Sequence, residues 1–158
     1  RAGGPSMMKD FLVHEDQFDA AAACGASAVL LILPLHERGH ATMTIDEAVE
    51  AARARGLETL LEVYDADGLS RARRTRADLL AVNNRDLGDL TLDLTRFPRA
   101  ALGFAKDRPL LALSGVETAA DARRMFDAGA DAVLVGGALM RSDDPAGRLA
   151  AMLEGQER

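Results

Sequence analysis

The chain has 158 residues, of which 48% are hydrophobic and 28% are charged, a composition typical of a globular domain with one substantial core. Its 19 basic and 25 acidic residues give a net charge of -6, which disfavours nucleic acid as the main partner but allows a local site for a small anion. The single Cys24 excludes an internal disulfide, and no apolar run reaches the roughly 18 residues of a membrane span, so we expect a cytoplasmic protein without membrane contact.

Six short apolar runs predict six strands along the chain. They lie near residues 6–9, 28–33, 58–63, 78–82, 109–113 and 131–135. Three of these runs share an internal echo, which reads GASAVLLI from Gly25, RADLLAV from Arg76 and GADAVLVG from Gly129. Because polar residues hardly alternate within the runs, both faces of each strand are expected to be covered, as in a parallel sheet.

Between the strands, alanine and other apolar residues recur at spacings of three and four. This pattern predicts helices at 15–24, 45–55, 66–75 and 118–128, with Thr44 and Thr118 as N-caps. The stretch from Pro34 to Thr44 is the longest predicted loop before a helix. Six strand-helix units, spaced by roughly 25 residues, predict one α/β domain over residues 1–158, either a (β/α) barrel or an open parallel sheet.

Polar or glycine residues stand at the carboxyl end of most predicted strands. In chain order they are Lys9, Glu62, Asn83 with Asn84, Ser114 with Gly115, and Gly136 with Gly137. Any one of them could be an ordinary surface residue, but parallel barrels place their chemistry at this end of the strands. A lysine and a glutamate are suited to general acid and general base catalysis there, and Asn83 is suited to orient a hydroxyl or a carboxylate.

The last two strand-to-helix turns, LSGVET and VGGALM, predict a phosphate site. Glycine lets backbone N–H groups approach a ligand closely, and the loops after the last two strands of such barrels commonly bind phosphate. The alternative is that Gly115, Gly136 and Gly137 only relieve tight turns. The sequence therefore favours a phosphorylated small molecule as the substrate.

Two other features have a simpler interpretation. Arg85 could contact an anion or brace a neighbouring carboxylate, and bracing is favoured. His36 and His40 have the spacing of a helical metal pair, but they lie in the predicted loop, on either side of Gly39, without a third ligand. No metal site is predicted.

Taken together, these motifs resemble the indole-3-glycerol phosphate synthase family. The matching segments are KDFLVHEDQ, LLEVYDADGL, AVNNRDL and GADAVLVGGALMRSDDP, which occur in this order between about Met8 and Leu153. The resemblance implies a (β/α)8 TIM barrel, here incomplete, in which the six strands are numbers three to eight. It also implies a carbon-carbon lyase of tryptophan biosynthesis, without metal or organic cofactor. Such an enzyme closes the ring of 1-(2-carboxyphenylamino)-1-deoxyribulose 5-phosphate, with loss of carbon dioxide and water, to form indole-3-glycerol phosphate.

The same resemblance implies a role for each strand-end residue. Lys9 would be the general acid that protonates the ribulose carbonyl. Glu62 would be the general base or would stabilise the cationic intermediate, and Asn83 would orient the substrate. The implied substrate and phosphate contacts are Ser114, Gly115, Gly136, Gly137 and Arg85.

This chain departs from the family pattern in two ways. Leu113 stands where the family usually has a glutamate before the serine-glycine pair, which is expected to weaken or alter catalysis. The glutamate, the second lysine and the phosphate loop of the family's first strand have no counterpart. Since a whole barrel needs about 250 residues, we expect two strands to be missing. A second chain or an N-terminal segment would then complete the barrel, because strands three and eight would otherwise expose unpaired edges.

Two alternative functions stay open at this point. Another phosphate-binding barrel enzyme, such as phosphoribosylanthranilate isomerase, would share the glycine turns, but the set of Lys9, Glu62 and Asn83 disfavours it. A catalytically silent phosphate-binding fragment is supported by Leu113 and by the absent first strand. Phosphate or substrate binding without product formation would distinguish that fragment from an enzyme.

Overall fold

The computed structural model describes residues 4–153 and shows a six-stranded sheet with helices between its strands. The strands are β1 (Met7–Met8), β2 (Ala28–Ile32), β3 (Glu58–Val63), β4 (Leu79–Asn83), β5 (Leu110–Leu113) and β6 (Ala132–Leu134). Their order in the sheet follows the chain, and the pairs β1–β2, β2–β3 and β5–β6 are parallel. All six predicted strands are confirmed to within one residue at each end.

The described helices include the four that the sequence predicts. They are α1 (Asp16–Ala23), α2 (Leu33–Glu37), α3 (Ile45–Ala54), α4 (Ala66–Ala72), α5 (Arg96–Ala101), α6 (Ala119–Asp127), α7 (Gly137–Met140) and α8 (Pro145–Leu153). Within residues 4–153, none of these helices has the length and apolar character needed to cross a membrane.

The two predicted N-caps are confirmed, and each forms a capping box. The hydroxyl of Thr44 accepts the backbone N–H of Glu47, whose carboxylate accepts the N–H of Thr44 in return. Thr118 and Asp121 make the same pair of bonds at the start of α6. Each box satisfies two backbone donors that the first turn of a helix leaves without partners.

The predicted loop from Pro34 to Thr44 is wrong at its beginning, where α2 occupies Leu33–Glu37. Pro34 stands in the first turn of this helix, where its missing N–H costs no hydrogen bond and its fixed φ suits the helix. The helix has five residues, which is too short for a helical period to be read in the sequence.

The chain divides into two compact units. Unit 1 comprises the residues up to Val63 together with Asp67–Ala81, and unit 2 comprises Tyr64–Ala66 with the residues from Val82 onward. Large, fully buried side chains fill both units. In unit 1 they include Phe18, Leu30, Leu31, Leu60, Leu61 and Leu69, and in unit 2 they include Phe97, Leu110, Leu113 and Met125.

The internal echo of the sequence has a structural role at the beginning of alternate strands. The residue before β2, β4 and β6 accepts a hydrogen bond from a backbone N–H at the start of the preceding strand. The bonds are Ser6 N to Ser27 Oγ (3.4 Å), Thr59 N to Asp78 Oδ2 (2.9 Å) and Leu110 N to Asp131 Oδ2 (2.8 Å). These repeated residues therefore help to fix the register between the starts of neighbouring strands.

The two aspartates of this echo have pKa values below the ordinary value for aspartate. Burial by itself would raise the pKa of Asp78, but hydrogen bonds from the backbone and hydroxyl of Thr59, and from Arg53, outweigh it. Burial is likewise outweighed at Asp131, where the Lys106 ammonium and the Leu110 N–H lower the pKa. Both carboxylates are therefore held in the charged form.

Candidate active-site residues

Lys9 lies directly after β1 in unit 1, and its side chain is exposed. The last residue of β1, Met8, is in register with Val29 of β2. The next residue, Asp10, accepts the backbone N–H of Phe11 at 2.8 Å through its carboxylate and so shapes the local chain. Lys9 thus follows the carboxyl end of a parallel strand with its side chain accessible to solvent.

Glu62 is the penultimate residue of β3, and its side chain is completely buried. It is in register with Ile32, the last residue of β2, so it also lies at the carboxyl end of its strand. Its flanking residues Leu61 and Val63 are buried as well. A carboxylate at such a position is costly to desolvate. Glu62 therefore places a buried carboxylate at the carboxyl end of β3.

Asn83 ends β4 in unit 2, with 3% of its surface exposed. Its side-chain oxygen accepts the backbone N–H of Arg85 at 2.9 Å and so turns the chain out of the strand. The Arg85 guanidinium donates to the carbonyl oxygen of Leu90 at 2.9 Å. Arg85 thus braces its own loop through a carbonyl rather than through the carboxylate that bracing was expected to involve.

The β4–α5 loop, residues 84–95, is held by a series of local turns. The carboxylates of Asp86, Asp89 and Asp93 accept the backbone N–H groups of Gly88, Thr91 and Thr95 at 2.8, 2.9 and 2.8 Å. The hydroxyl and the backbone N–H of Thr95 hold the pKa of Asp93 below its ordinary value. The loop is therefore an ordered element rather than a loose connection.

The turn that follows β5 has a left-handed backbone at two consecutive residues. Ser114 has φ 64° and Gly115 has φ 79°. A Cβ atom on Gly115 would lie 2.7 Å from Leu94 Cδ2 and 2.8 Å from Leu92 Cδ1. The backbone angle thus favours glycine at position 115, and any larger residue would also displace the ends of the two leucine side chains over it.

The second glycine pair lies at the end of the segment that follows β6. Gly136 precedes α7 and Gly137 is its first residue, and both are exposed. The neighbouring Arg141 donates to the Glu117 carboxylate at 2.6 Å, and Arg148 donates to the Glu117 carbonyl oxygen at 2.6 Å. Within unit 2 these bonds connect the turn after β5 with the segment after β6.

The sequence patterns assign no role to Asn84, Glu117 or Arg141. Asn84 has a visible signal, because two successive asparagines follow an apolar strand in AVNNRDL and the second is completely buried in the structure. The pairing of Glu117 with Arg141 has no such signal, since it joins residues 24 positions apart. Leu113, the residue that departs from the family pattern, is completely buried at the end of β5.

The two histidines do not form a pair. His36 is buried in α2, with its Nδ1 atom 3.0 Å from the carbonyl oxygen of Met43, whereas His40 is exposed after the helix. Over residues 4–153, no group of three or more His, Cys, Asp and Glu side chains is arranged to hold a metal ion.

Solved structures with similar coordinates show the fold class. A mandelate oxidase mutant matches with a TM-score of 0.70 at 20% identity, covering 96% of this chain and 56% of that chain. Thiamine phosphate pyrophosphorylase from Pyrococcus furiosus matches with a TM-score of 0.67 at 23% identity, covering 94% and 64%. At these identities the similarity concerns the fold alone. The chain has the fold of an incomplete (β/α) barrel, with six strand-helix units, as the sequence predicts.

Comparison of sequences is more specific. The family model described as indole-3-glycerol phosphate synthase matches residues 2–152. Relatives of that name are 42% identical in Haloarcula marismortui, over 88% of this chain and 50% of the relative, and 42% identical in Opitutus terrae, over 95% and 55%. The chain thus spans about half the length of the curated relatives it matches. With a family match over residues 2–152, nearly all of its length, the chain belongs to the indole-3-glycerol phosphate synthase family.

Proposed function

We propose that this chain carries the catalytic residues of an indole-3-glycerol phosphate synthase. One observation carries the proposal: Lys9, Glu62 and Asn83 each lie at the carboxyl end of their own strand, in the order of the family motifs. In parallel barrels this end of the strands holds the chemistry. The burial of Glu62 supports the proposal, because a carboxylate inside a sheet is costly to desolvate.

The proposed reaction needs an acid, a base and a phosphate anchor. Lys9 donates a proton to the ribulose carbonyl oxygen while the carbonyl carbon of the substrate forms the new bond to the aromatic ring. The ring then loses its carboxylate as carbon dioxide, and the electron pair of that bond returns to the ring. The hydroxyl formed from the carbonyl takes up a second proton from solvent and leaves as water, while the carbon next to nitrogen loses a proton. Glu62 takes up the proton released in the later steps or stabilises the cationic intermediate, while Asn83 orients the substrate.

The phosphate anchor is proposed to consist of the two glycine turns. Ser114 and Gly115 follow β5, and Gly136 and Gly137 follow β6. Backbone N–H groups in such turns can approach phosphate oxygens closely, since no Cβ intervenes at glycine. The loop position of Arg85 makes it a candidate for a further substrate contact. We also propose a cytoplasmic location and completion of the barrel by a second chain or an N-terminal segment.

Turnover can be tested directly with 1-(2-carboxyphenylamino)-1-deoxyribulose 5-phosphate, by following the fluorescence of the indole product. We expect the purified protein to form product and Lys9→Met to lower kcat by about a hundredfold or more, the usual contribution of a general acid. Asp10→Asn is the matched control, because it changes the neighbouring charge without removing the acid. Product formation by Lys9→Met at the wild-type rate would contradict the role of Lys9.

One observation favours a second function, phosphate binding without catalysis. Leu113 is buried at the strand end where the family usually carries a carboxylate, so the substrate rim has one acidic group fewer. A protein with this second function would bind the substrate and inorganic phosphate with no indole product. The remaining alternative is another phosphate-binding barrel enzyme, such as phosphoribosylanthranilate isomerase. Isomerase activity on phosphoribosylanthranilate, with no indole product, would favour it over the synthase.

A further inference from the structure

We infer that Asn84 is a positioning residue that holds the turn Ser114–Gly115 in its left-handed conformation. This turn is called the serine-glycine turn below. The inference rests on the proposed function, in which the turn presents backbone N–H groups to the substrate phosphate. Asn84 would act on phosphate affinity through this turn, without touching the ligand.

The serine-glycine turn requires outside support because Ser114 is not a glycine. An L-residue in the left-handed region is unfavourable by about 1–2 kcal/mol, whereas Gly115 adopts a positive φ readily. Such a conformation persists only where the surrounding structure determines it. The contacts that hold Ser114 at φ 64° therefore decide where the N–H groups of the turn point.

Asn84 supplies these contacts from the end of β4. Its backbone N–H donates to the carbonyl oxygen of Leu113 at 2.9 Å, and its side-chain Nδ2 donates to the carbonyl oxygen of Ser114 at 3.1 Å. One residue thus binds two consecutive carbonyl groups at the point where the chain leaves β5. Because the second carbonyl belongs to Ser114 itself, this bond fixes the peptide plane between Ser114 and Gly115.

The remaining polar groups of Asn84 are bonded as well, so its side chain cannot turn away. Its Oδ1 atom accepts the backbone N–H of Phe97 at 3.0 Å, and its carbonyl oxygen accepts the N–H of Asp93 at 2.9 Å. The side chain is completely buried. A buried amide with all its groups bonded is held in one orientation, since any rotation would break bonds that water cannot replace.

The β4–α5 loop closes on the same turn from its other side. Leu92 and Leu94 lie so close to Gly115 that a Cβ atom there would be within 3 Å of both. The N–H of Asp93, between the two leucines, is the group bonded to the Asn84 carbonyl. Asn84 is thus the common partner of the loop and of the serine-glycine turn.

The test compares Asn84→Ala with Phe97→Leu in the purified protein. Phe97→Leu is a control for lost stability, because it reduces buried apolar volume but leaves every hydrogen bond of Asn84 in place. The first readout is the three-bond HN–Hα coupling of Ser114 without ligand together with its intraresidue HN–Hα NOE, which is strong at positive φ because the two protons are then close. The second is the affinity for inorganic phosphate measured by NMR titration, and the third is the separation of KM from kcat.

We expect Asn84→Ala to change the Ser114 coupling, to weaken phosphate binding about tenfold and to raise KM by a similar factor, with kcat nearly unchanged; a tenfold change corresponds to about 1.4 kcal/mol. Ser114→Gly introduced into Asn84→Ala should restore part of the phosphate affinity, because glycine adopts a positive φ without support. An unchanged coupling together with unchanged phosphate affinity would overturn the inference. The inference would also be overturned if Asn84→Ala lost no more phosphate affinity than Phe97→Leu does when the two variants have equal thermal stability.

Failure of the proposed function would look different. A wild-type protein that neither binds phosphate nor forms product would overturn the proposed function and the effect of Asn84 on affinity. The Ser114 coupling in Asn84→Ala would still decide whether Asn84 sets the conformation of the turn.

Discussion

At the scale of single residues, burial separates candidate catalytic groups that look alike in the sequence. Glu62 and Glu58 both belong to β3, yet Glu62 is completely buried near the carboxyl end and Glu58 is exposed at the beginning. A strand period of two places both on the same face of the sheet. Their difference in exposure therefore comes from position along the strand and from the elements that cover it.

This difference predicts the outcome of a paired substitution. Glu62→Gln keeps the size of the side chain but removes the base, so we expect kcat to fall by about a hundredfold or more, with the fold retained. Glu58→Gln, on the same strand, should leave kcat within about twofold. Steady-state kinetics and circular dichroism of both variants provide the check. Equal kcat values for the two variants would exclude a catalytic role for Glu62.

At the scale of elements, local hydrogen bonds define where helices begin. Thr118 starts α6 with a capping box that leads directly out of the serine-glycine turn. We expect Thr118→Ala to reduce the free energy of unfolding by about 1 kcal/mol, because the backbone N–H of Asp121 loses the hydroxyl that accepts it. Thr118→Ser retains the hydroxyl and should restore most of this loss. Chemical denaturation measures both, and an unaltered midpoint in Thr118→Ala would show that the cap does not contribute.

The bonds at the beginning of strands predict a pH dependence of stability. The pKa of Asp78 in the folded protein lies below its ordinary value of 3.8, so its contribution is present above that value. The contribution is lost as the pH falls through the folded pKa, where the carboxylate becomes protonated in both states. The stability difference between wild type and Asp78→Asn should therefore be constant near neutral pH and shrink at acidic pH below about 4.

Thermal unfolding over a pH series measures this difference. Asp143→Asn, a change at an exposed carboxylate, controls for the altered net charge. A stability difference for Asp78→Asn that stays the same through the acidic range would contradict the bonding of Asp78 to the start of β3.

At the scale of the whole molecule, the order of the strands leaves two ends of the sheet. Within the described residues, β1 and β6 stand first and last in the order, and each has one strand neighbour. Exposed strand edges pair readily with other chains. We therefore expect the 158-residue chain, when expressed alone, to self-associate as its concentration rises.

Sedimentation velocity over a concentration series tests this prediction. Val133→Lys places a charge on β6 and should reduce the association, whereas Ala150→Lys adds the same charge at an exposed residue of α8 and should not. A chain that stays monomeric throughout, or equal association of the two variants, would exclude pairing through this edge.

The sequence by itself determined the strands, four of the helices with the N-caps of two of them, and the family. These features depend on local patterns: buried parallel strands are continuous apolar runs, and capping residues act within one helical turn. The lysine, glutamate and asparagine motifs also lie within single short segments. Their strand-end positions could therefore be predicted without any contact between distant residues.

Only the tertiary structure decided which polar residues are buried and what they bind. The bond of Asn84 to Ser114 joins residues 30 positions apart, and the closure of Leu92 and Leu94 over Gly115 depends on how one loop lies on another turn. The sequence also did not predict the short helix α2 or the hydrogen bond of Arg85 within its own loop. Side-chain contacts of this kind depend on the packing of whole elements, because the same residues in another arrangement would meet solvent instead.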